Sequence, residues 1–456
     1  MEKEFQKTET NFFQSLTFKA FMVVFLTLLL LIPQVMIRGL INERKVRSKA
    51  TIARINEKWS SAQTVCPPAF VIPYAKTVKI QDVKGFKESV EQHELFVTPE
   101  TTTIDVSLQP EPRHYGIFKS IVYRSNVEMQ GSFRVGKYSL DNSVFDYSKS
   151  YISLYISDLR GITQEIVFSV NGKSIVVKNY GENIIKIPLA NVLTNEDSAT
   201  YNFSCKMKLN GSEEINFVPL AKTTAVKLNG AWNSPSFTGN FAPDLKTDAK
   251  AGNFAASWNV LSFNRSIPET WSDASISNYV CIPTDVNIDD ARDYSQSVII
   301  ASNCNSFGVK LIQPIDQYQQ NERSVKYALL FIALTFVAFY FVEALTKKRI
   351  HIIQYLLVGI ALILFYSLLL SFSEQIGFGW AYLVAAAATV TLITLYVKSI
   401  FKNTKQTLML GGLLCLLYIF LYVVLQLEDL ALLIGSVGLF AILGVIMYVS
   451  RKIQWK

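Results

Sequence analysis

Carboxylates in or beside long apolar runs are the groups in this chain best placed to do chemistry. Glu343 falls near the end of one such run, with Lys347 one turn further on and His351 beyond it. That spacing suits local pairing, or a relay for protons or ions. Glu374, Glu428 and Asp429 fall in short connections between runs and make a candidate acidic cluster. Arg38, Arg44, Arg323 and Lys326 flank the first two runs and are its candidate basic partners. The plainer reading of the three carboxylates is that they are solvated loop charges that help set orientation. Tyr366 and Ser367 lie inside an apolar run and Gln426 near the end of another, where such groups hydrogen-bond between helices.

No catalytic signature accompanies them. The chain has neither a Gly-x-Ser-x-Gly elbow nor a His-Glu-x-x-His pair. Gly172-Lys173-Ser174 ends like a phosphate loop, but Val167 stands where that loop requires glycine. His93, His114 and His351 are scattered and no Cys-x-x-Cys occurs, so no metal and no cofactor is expected. Cys66, Cys205, Cys281 and Cys304 share one long polar stretch, which permits three pairings. Cys281 with Cys304, the nearest in sequence, is the first disulfide candidate; the pairing of Cys66 and Cys205 stays open.

The elements that carry these groups follow from the apolar pattern. Six runs occur, at 18–37, 327–345, 352–372, 380–397, 408–427 and 430–449. Each is long enough, at about 1.5 Å per residue, to cross a hydrocarbon core of about 30 Å. The fold class expected is a membrane protein of mixed α and β structure. One N-terminal and five C-terminal transmembrane helices enclose a large β-rich domain at 38–326, with short tails at 1–17 and 450–456. Only 18% of residues are charged, and most of the net +8 sits in the tails and short loops. The polar domain therefore lacks the dense basic face of a nucleic-acid binder.

Charge sets the orientation. Lys347, Lys348 and Arg349, then Lys398, Lys402 and Lys405, then Arg451, Lys452 and Lys456 occupy alternate connections and the C-terminal tail. The intervening connections carry no Lys or Arg; one holds Glu374 and the other Glu428 and Asp429. The positive-inside rule then puts both termini in the cytoplasm and the 38–326 domain outside. Arg38, Arg44, Lys45, Arg47 and Lys49 oppose this for the first helix, but three later segments agree with one another. The first run is too long for a signal-peptide core and no small-x-small site follows it, so it reads as an uncleaved anchor kinked at Pro33.

Residues 38–63 place Ile41, Ile52, Ile55, Trp59 and Ala62 at helical spacing, which predicts a stalk continuing the first helix, or a helix lying on anionic headgroups. Beyond Cys66 the pattern becomes strand-like. Asn171-Gly172, Asn210-Gly211 and Asn229-Gly230 each read as a hairpin turn between strands. TTTIDVSL, YISLYIS, YNFSCKMKL and FAASWNV alternate, so an antiparallel sandwich is expected. Ala381, Ala385 and Thr389 form a small-residue stripe, and Gly435, Gly438 and Gly444 make the last helix closely packable. No run reads as a broken pair of half-helices, which counts against transport.

The segments LLLLIPQVMIRGLINERKVR, PPAFVIPY and NGAWNSPSFTGNFAP with FAASWNV carry a family resemblance. So do FGVKLIQPIDQYQQNERSVKYALLFIALTF, RIHIIQYLLVGIALILFYSLLLSFSEQIGFGWAYLVAAAATV and LQLEDLALLIGSVGLF. The chain resembles the CreD family of bacterial inner-membrane, cell-envelope integrity proteins. The likeness covers the N-terminal helix and nearly everything from about residue 215 onward. It implies a role in envelope stress under a Cre two-component system, with colicin tolerance and β-lactam response in some members. It implies no reaction and no catalytic residues.

Two functions are therefore expected to compete. The first is a non-catalytic protein of the bacterial inner (plasma) membrane whose periplasmic β domain binds a lipid, cell-wall or protein partner. The second is a small-solute transporter or membrane-embedded enzyme that uses the outer acidic cluster.

Overall fold

Leucine, isoleucine, valine and phenylalanine fill the helical ends of this chain, and alternating β-branched and aromatic residues fill its middle; the backbone follows that division. The computed structural model describes residues 16–82, 85–179, 183–189, 198–247, 252–272, 276, 305–312, 317–346, 350–401, 403–427 and 431–451. Two compact units result, Met1–Lys49 with Ile315–Lys456, and Ala50–Pro314.

Toward the N-terminus, α1 (Leu16–Leu29) and α2 (Leu31–Trp59) are separated by a single turn residue, Leu30. Pro33 has no N–H for the Leu29 carbonyl, and the break falls over that missing bond. The ladder resumes at once, with the Gln34 amide donating to the Leu30 carbonyl at 3.3 Å. The stalk predicted for 38–63 is helical to Trp59, in unbroken continuation of the first run.

Among the described residues the remaining α-helices are α3 (Gln317–Lys326), α4 (Ala328–Thr346), α5 (Ile352–Ile376), α6 (Phe378–Phe401), α7 (Thr404–Gln426) and α8 (Ala431–Ser450). Among the described residues, four helical stretches are long and apolar enough to cross a membrane, and five if the bent pair α3–α4 is one span. The described apolar part of α8, Leu433–Tyr448, is shorter. Their core holds Phe336, Phe339, Tyr355, Phe365 and Leu369. Gly359 admits the turn between α1 and α2 closely, since a Cβ there would come within 2.4 Å of Leu30. The stripe of Ala381, Ala385 and Thr389 is buried, as its spacing predicts. The glycines of α8 differ from expectation: Gly438 backs onto the Phe420 ring, while Gly435 and Gly444 face open space.

The second unit is two sheets on one core. Ten described strands form the first sheet, around the long strand Gln63–Asp82; eight form the second, around Thr101–Tyr115 and Phe118–Gly136. Inward residues alternate along the second sheet, as in Ile104, Val106 and Leu108. Aromatic contacts join the sheets: Phe70 meets Phe133 edge-on at 5.9 Å, and Trp258 meets Phe307 at 5.4 Å. The strand Tyr151–Ile156 is buried on both faces, because a further apolar cluster with Phe96 and Trp271 covers the first sheet's other side.

Among the described residues pairing is mainly antiparallel, with two parallel exceptions. Gln63–Val65 runs parallel to Ile215–Phe217, and Thr101–Leu108 to Thr223–Gly230. Of the three Asn-Gly dipeptides only Asn171-Gly172 makes a hairpin turn, with φ of 48° and 78°. Asn210-Gly211 lies within a strand, and Glu213 at φ 59° follows it. Glycine is required at 211 by the Tyr123 ring, whose hydroxyl a Cβ would approach to 2.2 Å. Asn229-Gly230 ends a strand, with Gly230 against Phe254 and Leu108.

Candidate functional site

Glu343 sits on α4 with its side chain 8% exposed. Its Oε2 accepts the Tyr355 hydroxyl from α5 at 2.8 Å, and its Oε1 accepts the Ile350 amide at 3.1 Å. Lys19, from α1, pairs with the same Oε1. Three helices thus converge on one carboxylate. Phe336 and Phe339 hold the Tyr355 ring at 5.9 and 6.2 Å. The expected partners differ. His351 caps α5 instead, its Nδ1 accepting the Ile353 amide at 3.4 Å. Lys347 lies outside the described residues. Lys19 belongs to the same apolar run as the anchor, and nothing in the sequence links it to a residue 324 positions away.

Glu374 closes α5 at its other end. It accepts the Tyr318 hydroxyl from α3 at 3.2 Å and lies 3.9 Å from the Arg44 guanidinium of α2. Beside it Lys45 and Lys326 meet Glu322 at 3.7 and 3.0 Å, and Arg38 adds its field there. Arg323 is partly buried on α3. Arg44 is one of the partners expected for the acidic cluster, but it belongs to the same compact unit as Glu374 rather than to the β-rich one. Glu428 and Asp429 lie outside the described residues.

Tyr366 is buried against Phe365, ring centres 4.9 Å apart. In this part of the helical unit Tyr382 bonds between neighbouring helices, its hydroxyl donating to the Tyr418 carbonyl at 2.7 Å. Gln426 is exposed at the end of α7. The run expected at 327–345 is one unbroken helix, and α3 meets it ahead of the run at a bend of 46°. Gln34 of α2 bonds at the bend, its Nε2 donating to the Val325 carbonyl at 2.8 Å, while its buried Oε1 has no partner among the described residues.

Cys281 and Cys304 lie outside the described residues. Cys66 and Cys205 are free thiols buried in the β-rich unit. Burial pushes both upward, Cys205 to about 12. No group of three His, Cys, Asp or Glu stands together among the described residues. Sequence reading missed an open recess in the β-rich unit lined by Ser61, Ser157, Asp158, Leu159, Arg160 and Asn183. The Ser-Asp-x-Arg run is its one local sign, and such runs are common on surfaces.

Known proteins resemble this arrangement along most of its length. The sequence model of the family described as "Inner membrane protein CreD" matches residues 15–456. A relative of that name in Escherichia coli (strain K12) is 29% identical over 434 residues, covering 94% of this chain and 91% of the relative. Among solved structures, an M1 zinc metallopeptidase from Deinococcus radiodurans is 9% identical with a TM-score of 0.18, covering 36% of this chain and 38% of that one. A variant of it bound to a Tyr-Ser-Ala substrate is 8% identical with a TM-score of 0.19, over 69% and 90%. Scores this low carry nothing about fold or chemistry.

Proposed function

The chain belongs to the CreD family of inner membrane proteins, and from that premise we propose that it serves cell-envelope integrity as a non-catalytic protein. Six spans anchor it, with both termini in the cytoplasm, and the β-rich domain outside binds an envelope lipid, cell-wall component or protein. One observation carries the reading: among the described residues, the two carboxylates Glu343 and Glu374 of the helical unit are each satisfied by partners within that unit. Lys19 and Tyr355 hold Glu343, while Arg44 and Tyr318 hold Glu374. Groups so engaged stabilise a scaffold, and neither of these two carboxylates is free for acid–base work. Binding then falls to the β-rich unit, which has its own core. Cross-linking in intact cells tests this. It should capture an envelope component on the β-rich unit, and capture of nothing there would refute the reading.

A second reading, small-solute transport, is favoured by the α3–α4 bend and the unpaired Gln34 Oε1 beside it. The two separate on single substitutions. A binding protein tolerates Glu374→Gln, and the double substitution Lys19→Met, Glu343→Gln, in complementation of an envelope defect, whereas a transporter that depends on these carboxylates does not.

A further inference from the structure

The overlooked recess is built rather than incidental. Its open volume is about 360 Å³, within the range of small-molecule sites. Gln63, fully buried, ties together the segments that line it. Its Nε2 donates to Ser60 Oγ at 2.8 Å and to the carbonyls of Asp158 and Asn210 at 2.9 and 3.0 Å. Its Oε1 accepts Ser157 Oγ at 3.2 Å and the Asp158 amide at 3.3 Å. Gly161 presses so near that a Cβ would meet Asn210 O at 2.3 Å. The loop that carries Ser157, Asp158 and Arg160 is therefore fixed before any ligand arrives.

The wall is a carboxylate–guanidinium fork. Arg160 Nε and Nη2 donate to Asp158 Oδ1 and Oδ2 at 2.9 and 2.8 Å. The Ser61 and Arg160 amides donate to the same oxygens at 3.0 and 3.1 Å. Asp158 is 9% exposed and Arg160 61%, so the remaining guanidinium N–H groups face solvent. The fork is neutral, and Glu57 adds negative field at Arg160, so an anion finds no surplus positive charge. Burial opposes ionisation of Asp158, but bonds from Arg160 and the Ser61 amide outweigh it and hold the carboxyl at about 2. It stays an acceptor at any physiological pH and cannot serve as a general acid.

One carboxylate lines the recess among the described residues, whereas glycoside hydrolysis ordinarily uses two. What remains is a neutral wall that both donates and accepts: guanidinium N–H groups, serine hydroxyls, an asparagine amide and a carboxylate edge. A ligand matching it must itself both donate and accept, without charge. We propose that this recess binds a neutral, hydroxyl-bearing glycan chain of the envelope without cleaving it. The proposal rests on the envelope-binding function above and names the ligand class.

The test uses the full-length protein in lipid nanodiscs, free of sugar-headed detergents. It is titrated calorimetrically with chitotetraose, maltotetraose and inorganic phosphate. At least one tetrasaccharide should bind saturably, with Kd raised about tenfold or more by Arg160→Met, the loss of charge-assisted hydrogen bonds. Arg160→Lys, which keeps the charge and loses the fork, replaces that variant if it lowers the unfolding temperature. Absence of sugar binding, equal binding by the variant, or phosphate binding in place of sugar would overturn the proposal. If cells yield a cross-linked envelope component while sugars fail here, the glycan proposal falls and the wider reading stands. Sugar binding at the recess with no cross-link in cells upholds the glycan site and overturns the wider reading.

Discussion

Tyr355 donates its hydroxyl to the Glu343 carboxylate at 2.8 Å, and Lys19 reaches the same carboxylate from another helix. The pair is largely withdrawn from solvent, the lysine side chain at 17% and the glutamate at 8% exposure. Removing one member leaves the other buried without compensation, a loss of roughly 3–5 kcal/mol for well-buried pairs. Lys19→Met or Glu343→Ala should therefore lower the unfolding temperature of the solubilised protein sharply. The double substitution Lys19→Met, Glu343→Gln should recover much of it, since Tyr355 still finds an acceptor. A double variant as unstable as the sum of its parts would show that the pair does not act as a unit.

Glu374 presents a weaker case of the same kind. Arg44 lies at 3.9 Å and is 45% exposed, so their attraction is worth about 1 kcal/mol or less. The Tyr318 hydroxyl bond adds about 1 kcal/mol. Glu374→Gln should loosen α3 and raise protease cleavage near Gln317–Lys326, with membrane insertion unchanged. Tyr318→Phe should do the same to a smaller degree. Unaltered digestion in both would leave Glu374 as a marker of orientation alone.

Orientation itself is open to reporter fusions. Fusions after Lys405 and after Lys456 should report the cytoplasm, and fusions between Ser143 and Asn179 the outer space. Cytoplasmic signal from that β segment would invert the arrangement argued from the basic loops.

The helices were legible because their signal is local: each run from 327 to 449 reappears as a helix within a few residues of its predicted bounds. The strands were legible for the same reason, since alternation in TTTIDVSL marks which face of Thr101–Tyr115 turns inward. Pairings between distant residues were not. Lys19 and Glu343 meet only because α1 packs beside α4 and α5. Asn210-Gly211 looked like a turn, but Gly211 is there to admit the Tyr123 ring, a tertiary demand with the same two-letter signature. The recess was hidden similarly, for Gln63 is separated by 95 positions from the Asp158 loop it fixes.

Thiol chemistry separates the four cysteines of the β-rich unit. Cys66 and Cys205 are free and fully buried, with burial raising both thiols, so neither should react in the folded protein. Labelling of the unreduced, denatured protein should then modify Cys66, Cys205 and Cys415. Cys281 and Cys304, if paired in an oxidising space, should be labelled only after reduction. Direct labelling of either would remove that disulfide.

The Asp158–Arg160 fork should shape acid stability. A carboxyl held below its unfolded value stabilises the fold fully above that value and loses this contribution as pH falls through the folded one. For Asp158 the window runs from an unfolded value of about 4 down to about 2 in the folded protein. Arg160→Met removes two of the hydrogen bonds that hold the carboxyl ionised and leaves the burial that opposes it. The folded value should then rise, so the variant gives up the contribution at a higher pH. Tryptophan fluorescence followed from pH 6 to 2 should place the acid transition of the variant above that of the parent protein. Asp158→Asn, which cannot titrate, should flatten the limb in this range. Coincident transitions for all three proteins would show that other carboxylates govern acid unfolding and that the fork serves the recess alone.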